Sequence, residues 1–247
     1  MIKIARIRLA AEFADNIKQV LVDHINSDKR EPDDKIHVSD LLAPRFAYYQ
    51  ITEGRVMRPE DVDMFIPGIA FHELIQKAYK KVNPEAIAEA SLELDGIVGH
   101  LDLLVKFVTE IKTSRKYTIP EMPDEKYVKQ AKYYMVLAEV LEAYIVVVYF
   151  TAGRNPWKKK PSTLEIIAWK VDITEEERND LYNEMLNTKE SIETAVKLEK
   201  PGMLPLCEMF RCLSVYKKEV TRQCAYYNLC MPSERWPLEK GIKACSK

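Results

Sequence analysis

The chain has 247 residues, with 37 Lys+Arg against 38 Asp+Glu, a formal net charge of −1, 47% hydrophobic and 30% charged residues. That apolar content excludes disorder, and the longest apolar run, residues 143–152, is about half of the roughly 20 residues a bilayer helix needs. With only 7 Gly and no Gly/Ser tract, the length suits one large domain, or one domain with a small appendage, without a flexible linker.

Residues 1–28 place Ile4, Ile7, Ala11, Phe13, Ile17, Val20, Leu21 and Ile25 at roughly helical spacing, which predicts one or two amphipathic helices. No apolar h-region or cleavage site precedes them, so a soluble, cytoplasmic protein without a signal peptide is the default. Ser39 is a candidate N-cap for an aromatic helix that ends at Gly54. A second helix is expected from Pro67-Gly68 to about Val82, with Phe71, Leu74, Ile75, Ala78 and Val82 facing a core.

The period then changes from 3.6 to 2. Residues 90–94, 97–105 and 107–111 read as three successive strands, the first two joined by Asp95-Gly96, a good two-residue hairpin signal. Asp124 is expected to cap a helix running to about Leu141. Residues 143–151, with a continuous β-branched stretch, predict a buried strand, and residues 164–171 a further one. Thr174-x-x-Glu177 is a capping box that opens a long acidic helix to about Leu198. Residues 200–247 read as irregular. The order predicts an α/β fold, a mixed sheet flanked by helices. Its expected parts are a helical segment (1–35), a core (36–199) and a cysteine-rich basic tail that packs on the core (200–247).

The neutral total hides an asymmetry. Residues 172–199 hold nine acidic and three basic side chains, and residues 200–247 hold nine basic and four acidic ones. A basic tail can follow a phosphate backbone; a solvated surface explains the same charges. In the tail, Tyr216, Lys217, Lys218, Arg222, Tyr226, Tyr227, Arg235 and Trp236 interleave aromatic and basic groups in a way that suits a single strand, or that simply packs the tail. Arg154 and Lys158 to Lys160 around Trp157 are a second such patch.

Two carboxylates and a lysine fall among the strands. In Val108-Thr109-Glu110-Ile111-Lys112 the period of 2 puts Glu110 and Lys112 on one face. Asp102 lies in an otherwise apolar strand. Burying a lone carboxylate costs several kcal/mol, so this pair calls for a compensating cation. A hard divalent ion with oxygen ligands would serve, with Lys112 beside it to orient a water and neutralise charge on a phosphate. A structural ion pair between Lys112 and one carboxylate is the plain alternative.

Gly99-x-x-Asp102, Glu110-Ile111-Lys112 and Gln130-Ala131-Lys132-Tyr133-Tyr134, preceded by Gly68-Ile-Ala-Phe-His72-Glu, resemble the RecB-like branch of the PD-(D/E)XK nucleases. His37-Val-Ser-Asp-Leu-Leu-Ala43-Pro-Arg45 is similar to the opening segment of one family in it, the RecB-like exonucleases of CRISPR spacer acquisition, the fourth CRISPR-associated protein. The resemblance implies a restriction-endonuclease-like core. It also implies Mg²⁺ or Mn²⁺ held by His72, Asp102, Glu110 and the backbone carbonyl of Ile111, with Lys112 assisting the attacking water. Gln130 and Tyr134, one turn apart, would contact DNA; a half-buried amide–phenol pair is the other reading. Exonuclease action on single-stranded or frayed DNA ends follows from it, with CRISPR integrase subunits as partners and no membrane. A RecB-like nuclease of repair, recombination or viral origin, and a non-catalytic DNA-binding subunit, are the competing readings.

All five cysteines lie in the last 41 residues. Such clustering points to a metal or iron–sulfur centre in an intracellular protein. The family takes one cluster ligand from the opening segment and three from the tail. Here Ala43 fills the first slot and Thr221 stands where a tail cysteine is expected. Cys207, Cys212, Cys224 and Cys230 remain as candidates for an iron–sulfur cluster or zinc, with free thiols or disulfides as the alternative and Cys245 as the spare.

Overall fold

The computed structural model describes residues 20, 35–54, 59–116, 118–152, 163–207, 213–216, 219–224 and 226–230. The expected N-terminal helices, apart from Val20, and the basic patch around Trp157 lie outside them. In chain order the elements are β1 (Ile36–His37), α1 (Val38–Leu41), α2 (Pro44–Thr52), α3 (Pro59–Val82), β2 (Ile87–Leu94), β3 (Ile97–Leu104) and β4 (Val108–Ser114). They continue with α4 (Glu125–Leu137), β5 (Glu142–Ala152), β6 (Thr163–Asp172), α5 (Glu175–Lys197), a 3-10 turn (Pro201–Met203), β7 (Leu213–Tyr216), β8 (Glu219–Gln223) and α6 (Tyr227–Cys230).

Six strands form one mixed sheet in the order β1-β3-β4-β5-β6, with β2 also on β3. β1 runs parallel to β3 and β4 parallel to β5; the other pairs are antiparallel. The expected mixed α/β class is therefore what forms. β2 covers β3 from Ile97 to Leu104, so the other edge of β3 is shared: β1 pairs at Ile97 and Val98, β4 only at Leu103 and Leu104. Between those two pairings β3 and β4 diverge, and this gap positions the site.

The central core joins Ile97, Leu101, Val108, Ile145 and Val147 of the sheet to Ala131 and Met135 of α4 and to Met185 and Ile192 of α5. α3 packs elsewhere: its Gly68 lies against Thr113 and its Phe71 stacks on Phe150, with ring centroids 5.9 Å apart. Thr113 is one residue from Lys112, so by strand alternation α3 covers the face of β4 opposite Glu110 and Lys112. The β4–α4–β5 unit is a crossover between parallel strands, which needs a helix to span the layer.

Several local expectations are met. Asp95 and Gly96 both have positive φ, +49° and +73°, as a tight hairpin turn between twisted strands requires. Thr174 Oγ1 accepts the Glu177 N–H at 3.1 Å and starts α5.

Others are corrected. The aromatic helix is broken in two, because Pro44 disfavours helical geometry at Ala43, which adopts φ −146° and ψ 67°. Ser39 is not the cap: His37 is the N-cap of α1, and its N–H goes to the Asp40 carboxylate at 2.8 Å. α3 starts at Pro59 and carries Pro67 inside it, forgoing one intrahelical bond there. α4 stops at Leu137; Asp124 is its N-cap residue as expected, but its carboxylate makes no cap bond and holds Lys116 at 2.8 Å instead. The tail is not wholly irregular, since β7 and β8 form an antiparallel hairpin. No described helix is long and apolar enough to cross a membrane.

Candidate active site

Asp102 is the hub. Its side chain reaches across the gap between β3 and β4, where Oδ2 accepts the backbone N–H of Ile111 at 2.6 Å. Oδ1 meets Nδ1 of His72, from α3, at 3.1 Å. On the neighbouring strand Glu110 is buried and its Oε1 is paired directly with the Lys112 ammonium. His72 and Lys112, 26% and 22% exposed at their side chains, give the cluster its opening to solvent. His72, Asp102, Glu110, Ile111 and Lys112 are thus brought together from three elements.

The electrostatics show how costly the cluster is. Burial pushes the Glu110 carboxyl up to about 7; Lys112 opposes that shift and the Asp102 carboxylate adds to it. Burial works against the Lys112 charge as well, but Glu110 and Asp102 overcome it and hold the lysine above its ordinary pKa. Burial also disfavours charged His72, yet the Asp102 hydrogen bond and the Asp102 and Glu110 charges together overcome it and raise the imidazole. Two carboxylates thus meet one ammonium and one imidazole, each bonded to its own partner. Among the described residues no group of three or more His, Cys, Asp or Glu is disposed to hold a metal ion; His72 is bonded to Asp102, and Glu110 to Lys112.

The helix α4 closes the site from one side. Tyr127 brings its ring centroid within 5.6 Å of Lys112 Nζ. Gln130 Nε2 donates to the Tyr134 hydroxyl at 3.0 Å, so these two form the amide–phenol pair. Gly99 explains how close the helix comes: a Cβ there would stand 2.4 Å from Leu137 Cδ1 and 3.1 Å from the Tyr134 ring.

Sequence reasoning missed two residues, Tyr127 and Gln76. Tyr127 sits three positions before Gln130 on the same helix face, and Gln76 one turn after His72, so helical spacing from the residues already singled out would have found both. Gln76, 7% exposed, donates its side-chain N–H to the backbone carbonyl of Asp102 at 3.1 Å and to Glu89 Oε1 at 2.5 Å.

Of the opening segment, Ala43 is buried and Arg45 donates through Nε to the Leu204 carbonyl at 3.0 Å, a structural tie to the turn after α5. Cys207, Cys224 and Cys230 are half-buried, and no disulfide joins them among the described residues. Burial raises Cys207 to about 11, with Cys230 and Cys224 adding to the shift and the Phe46 backbone opposing it. Cys212 lies outside the described residues.

No family model and no curated protein matches this chain. Solved structures do match. The crystal structure of SSO0001 is 22% identical, with a TM-score of 0.48 over 74% of this chain and 88% of that one. A phage related exonuclease from Haemophilus somnus 129PT is 15% identical, with a TM-score of 0.45 over 67% and 96%. An alkaline exonuclease from Laribacter hongkongensis is 12% identical, with a TM-score of 0.43 over 68% and 92%. All three fall below a TM-score of 0.5, and the chemistry of the site stands on its own geometry.

Proposed function

We propose that the protein is a divalent-metal-dependent nuclease of RecB-like type that hydrolyses DNA phosphodiester bonds at single-stranded or frayed ends. One observation carries this reading: Asp102 of β3 and His72 of α3 are brought to the Glu110–Lys112 pair of β4 in one half-open patch. A structural ion pair needs only Lys112 and one carboxylate; it does not require a second carboxylate with an imidazole bonded to it.

Two carboxylates and a backbone carbonyl are hard oxygen donors that suit Mg²⁺ or Mn²⁺, and the imidazole is a borderline donor beside them. His72, Asp102, Glu110 and the Ile111 carbonyl would hold the ion, giving up the His72–Asp102 and Glu110–Lys112 contacts in exchange. Such an ion supplies a water of lowered pKa and positive charge for the phosphate oxygens. Lys112 would sit beside the ion, where its ammonium would orient the attacking water and oppose phosphate charge. Glu110, released from the ammonium, would serve as a ligand of the ion.

The resemblance of the opening segment supports work in CRISPR spacer acquisition. Ala43 in the cysteine slot favours a second reading, a nuclease of repair, recombination or viral origin. The tail thiols, together with Cys212, are proposed as ligands of an iron–sulfur cluster; a colourless, zinc-loaded preparation would reject that. For the activity, a labelled single strand should be degraded with Mg²⁺ or Mn²⁺, and chelation or Asp102→Ala should stop it. Cleavage that survives both would overturn the reading.

A further inference from the structure

Asp102 is held at both ends of the residue by one helix. His72 and Gln76 are one turn apart on α3, and they take the Asp102 carboxylate and the Asp102 backbone carbonyl, each at 3.1 Å. The second contact exists because the sheet is interrupted there. Ala88 pairs with Leu103 and Ala90 with Leu101, which leaves Glu89 opposite Asp102. Glu89 has φ +52°, a left-handed conformation that strains a non-glycine residue and is rare inside a strand. Its turn out of the ladder makes room for the Gln76 amide, which binds both the Asp102 carbonyl and the Glu89 carboxylate.

Side-chain packing changes at the same place. Ile97 and Leu101 belong to the central core, whereas Leu103 is buried outside it and Leu104 packs against it. The strained residue, the side-chain amide and the shift in packing all centre on Asp102.

We infer that Gln76 is a positioning residue: by capping the Asp102 carbonyl across the interrupted ladder, it fixes the angle at which the Asp102 carboxylate meets His72 and the Ile111 N–H. The catalytic consequence rests on the nuclease reading above, and the positioning itself does not. Glu89 completes the device by holding the amide in the orientation that donates to the carbonyl.

The test combines two variants with two measurements on the full chain. Gln76→Met keeps the length and removes both donors. In the protein without metal, hydrogen exchange at the Ile111 amide should accelerate about tenfold, while the Val147 amide, deep in the core, is unchanged. With a labelled single strand and Mg²⁺, kcat should fall about tenfold or more with KM within twofold, as for the loss of a residue that orients a ligand. The double variant Q76E/E89Q restores a side-chain pair in reversed polarity but leaves the carbonyl facing an acceptor, so both defects should persist.

Unchanged Ile111 exchange in Q76M overturns the inference, whatever the nuclease assay reports. Recovery of Ile111 protection in Q76E/E89Q also overturns it, since the Glu89 pairing alone would then suffice. Parent protein that cuts nothing, with the exchange change as expected, defeats the proposed function and leaves the positioning role standing.

Discussion

The backbone N–H of Ile111 reaches the Asp102 carboxylate at 2.6 Å, linking β3 to β4 one residue away from both Glu110 and Lys112. Where two strands diverge, a side chain has replaced the ladder. The resulting gap is what lets His72 approach from α3 and Tyr127 from α4, and the expected outcomes below follow from it.

The Glu110–Lys112 pair is both structural and chemical. Lys112→Ala leaves a buried carboxylate without its cation and should cost about 3–5 kcal/mol of stability, read by urea unfolding. Lys112→Ala combined with Glu110→Gln should recover most of that loss, while cleavage of a labelled strand stays down at least about 100-fold. A Lys112→Ala protein that cuts as fast as the parent would refute the mechanism.

Stability without metal should fall as pH rises from about 5 to 7.5. Glu110 and His72 both have raised pKa values, from burial at Glu110 and, against burial at His72, from the Asp102 hydrogen bond acting with the Asp102 and Glu110 charges. The folded state therefore binds more protons than the unfolded chain between the ordinary carboxylate pKa and about 7, and loses that advantage through this window. Melting temperatures in EDTA across the range check the sign, and Glu110→Gln should flatten the slope.

Gly99→Ala should destabilise the fold by about 1–3 kcal/mol, because its methyl would overlap Leu137 Cδ1. The same substitution should cost less in a Leu137→Ala background. A thermal double-mutant cycle reads that coupling, and an additive result would show that close approach of α4 is not what requires the glycine.

Tyr226 anchors the tail. It is 3% exposed, its ring meets Phe46 at 5.2 Å and stacks on Tyr49 at 5.8 Å, and its hydroxyl donates to the Gly54 carbonyl. Tyr226→Ala should cost about 3–5 kcal/mol and Tyr226→Phe only about 1. Limited proteolysis should cut the Ala variant first beyond residue 207.

Much of this was legible in the chain, for reasons that are local. Asp95-Gly96 announced its turn because both positions need positive φ, and Thr174 announced α5 because a hydroxyl there satisfies an otherwise unbonded N–H. Alternation placed Glu110 and Lys112 on one face. Gln76, one turn after His72, was within reach of helical spacing, but that its amide meets the Asp102 carbonyl depends on how α3 packs on β3. Asp124 took the N-cap position the chain announced, but its carboxylate is bonded to Lys116, eight residues earlier, and not to the helix.

Sequence by itself determined the element types, the mixed α/β class and the residue types able to do chemistry, because backbone geometry and side-chain period act over a few neighbours. Tertiary structure alone decided that β3 and β4 part at Asp102, that α3 grips this residue twice and that the tail hairpin closes on its own pairing. Those outcomes depend on contacts between segments tens of residues apart, which no local pattern in the chain encodes.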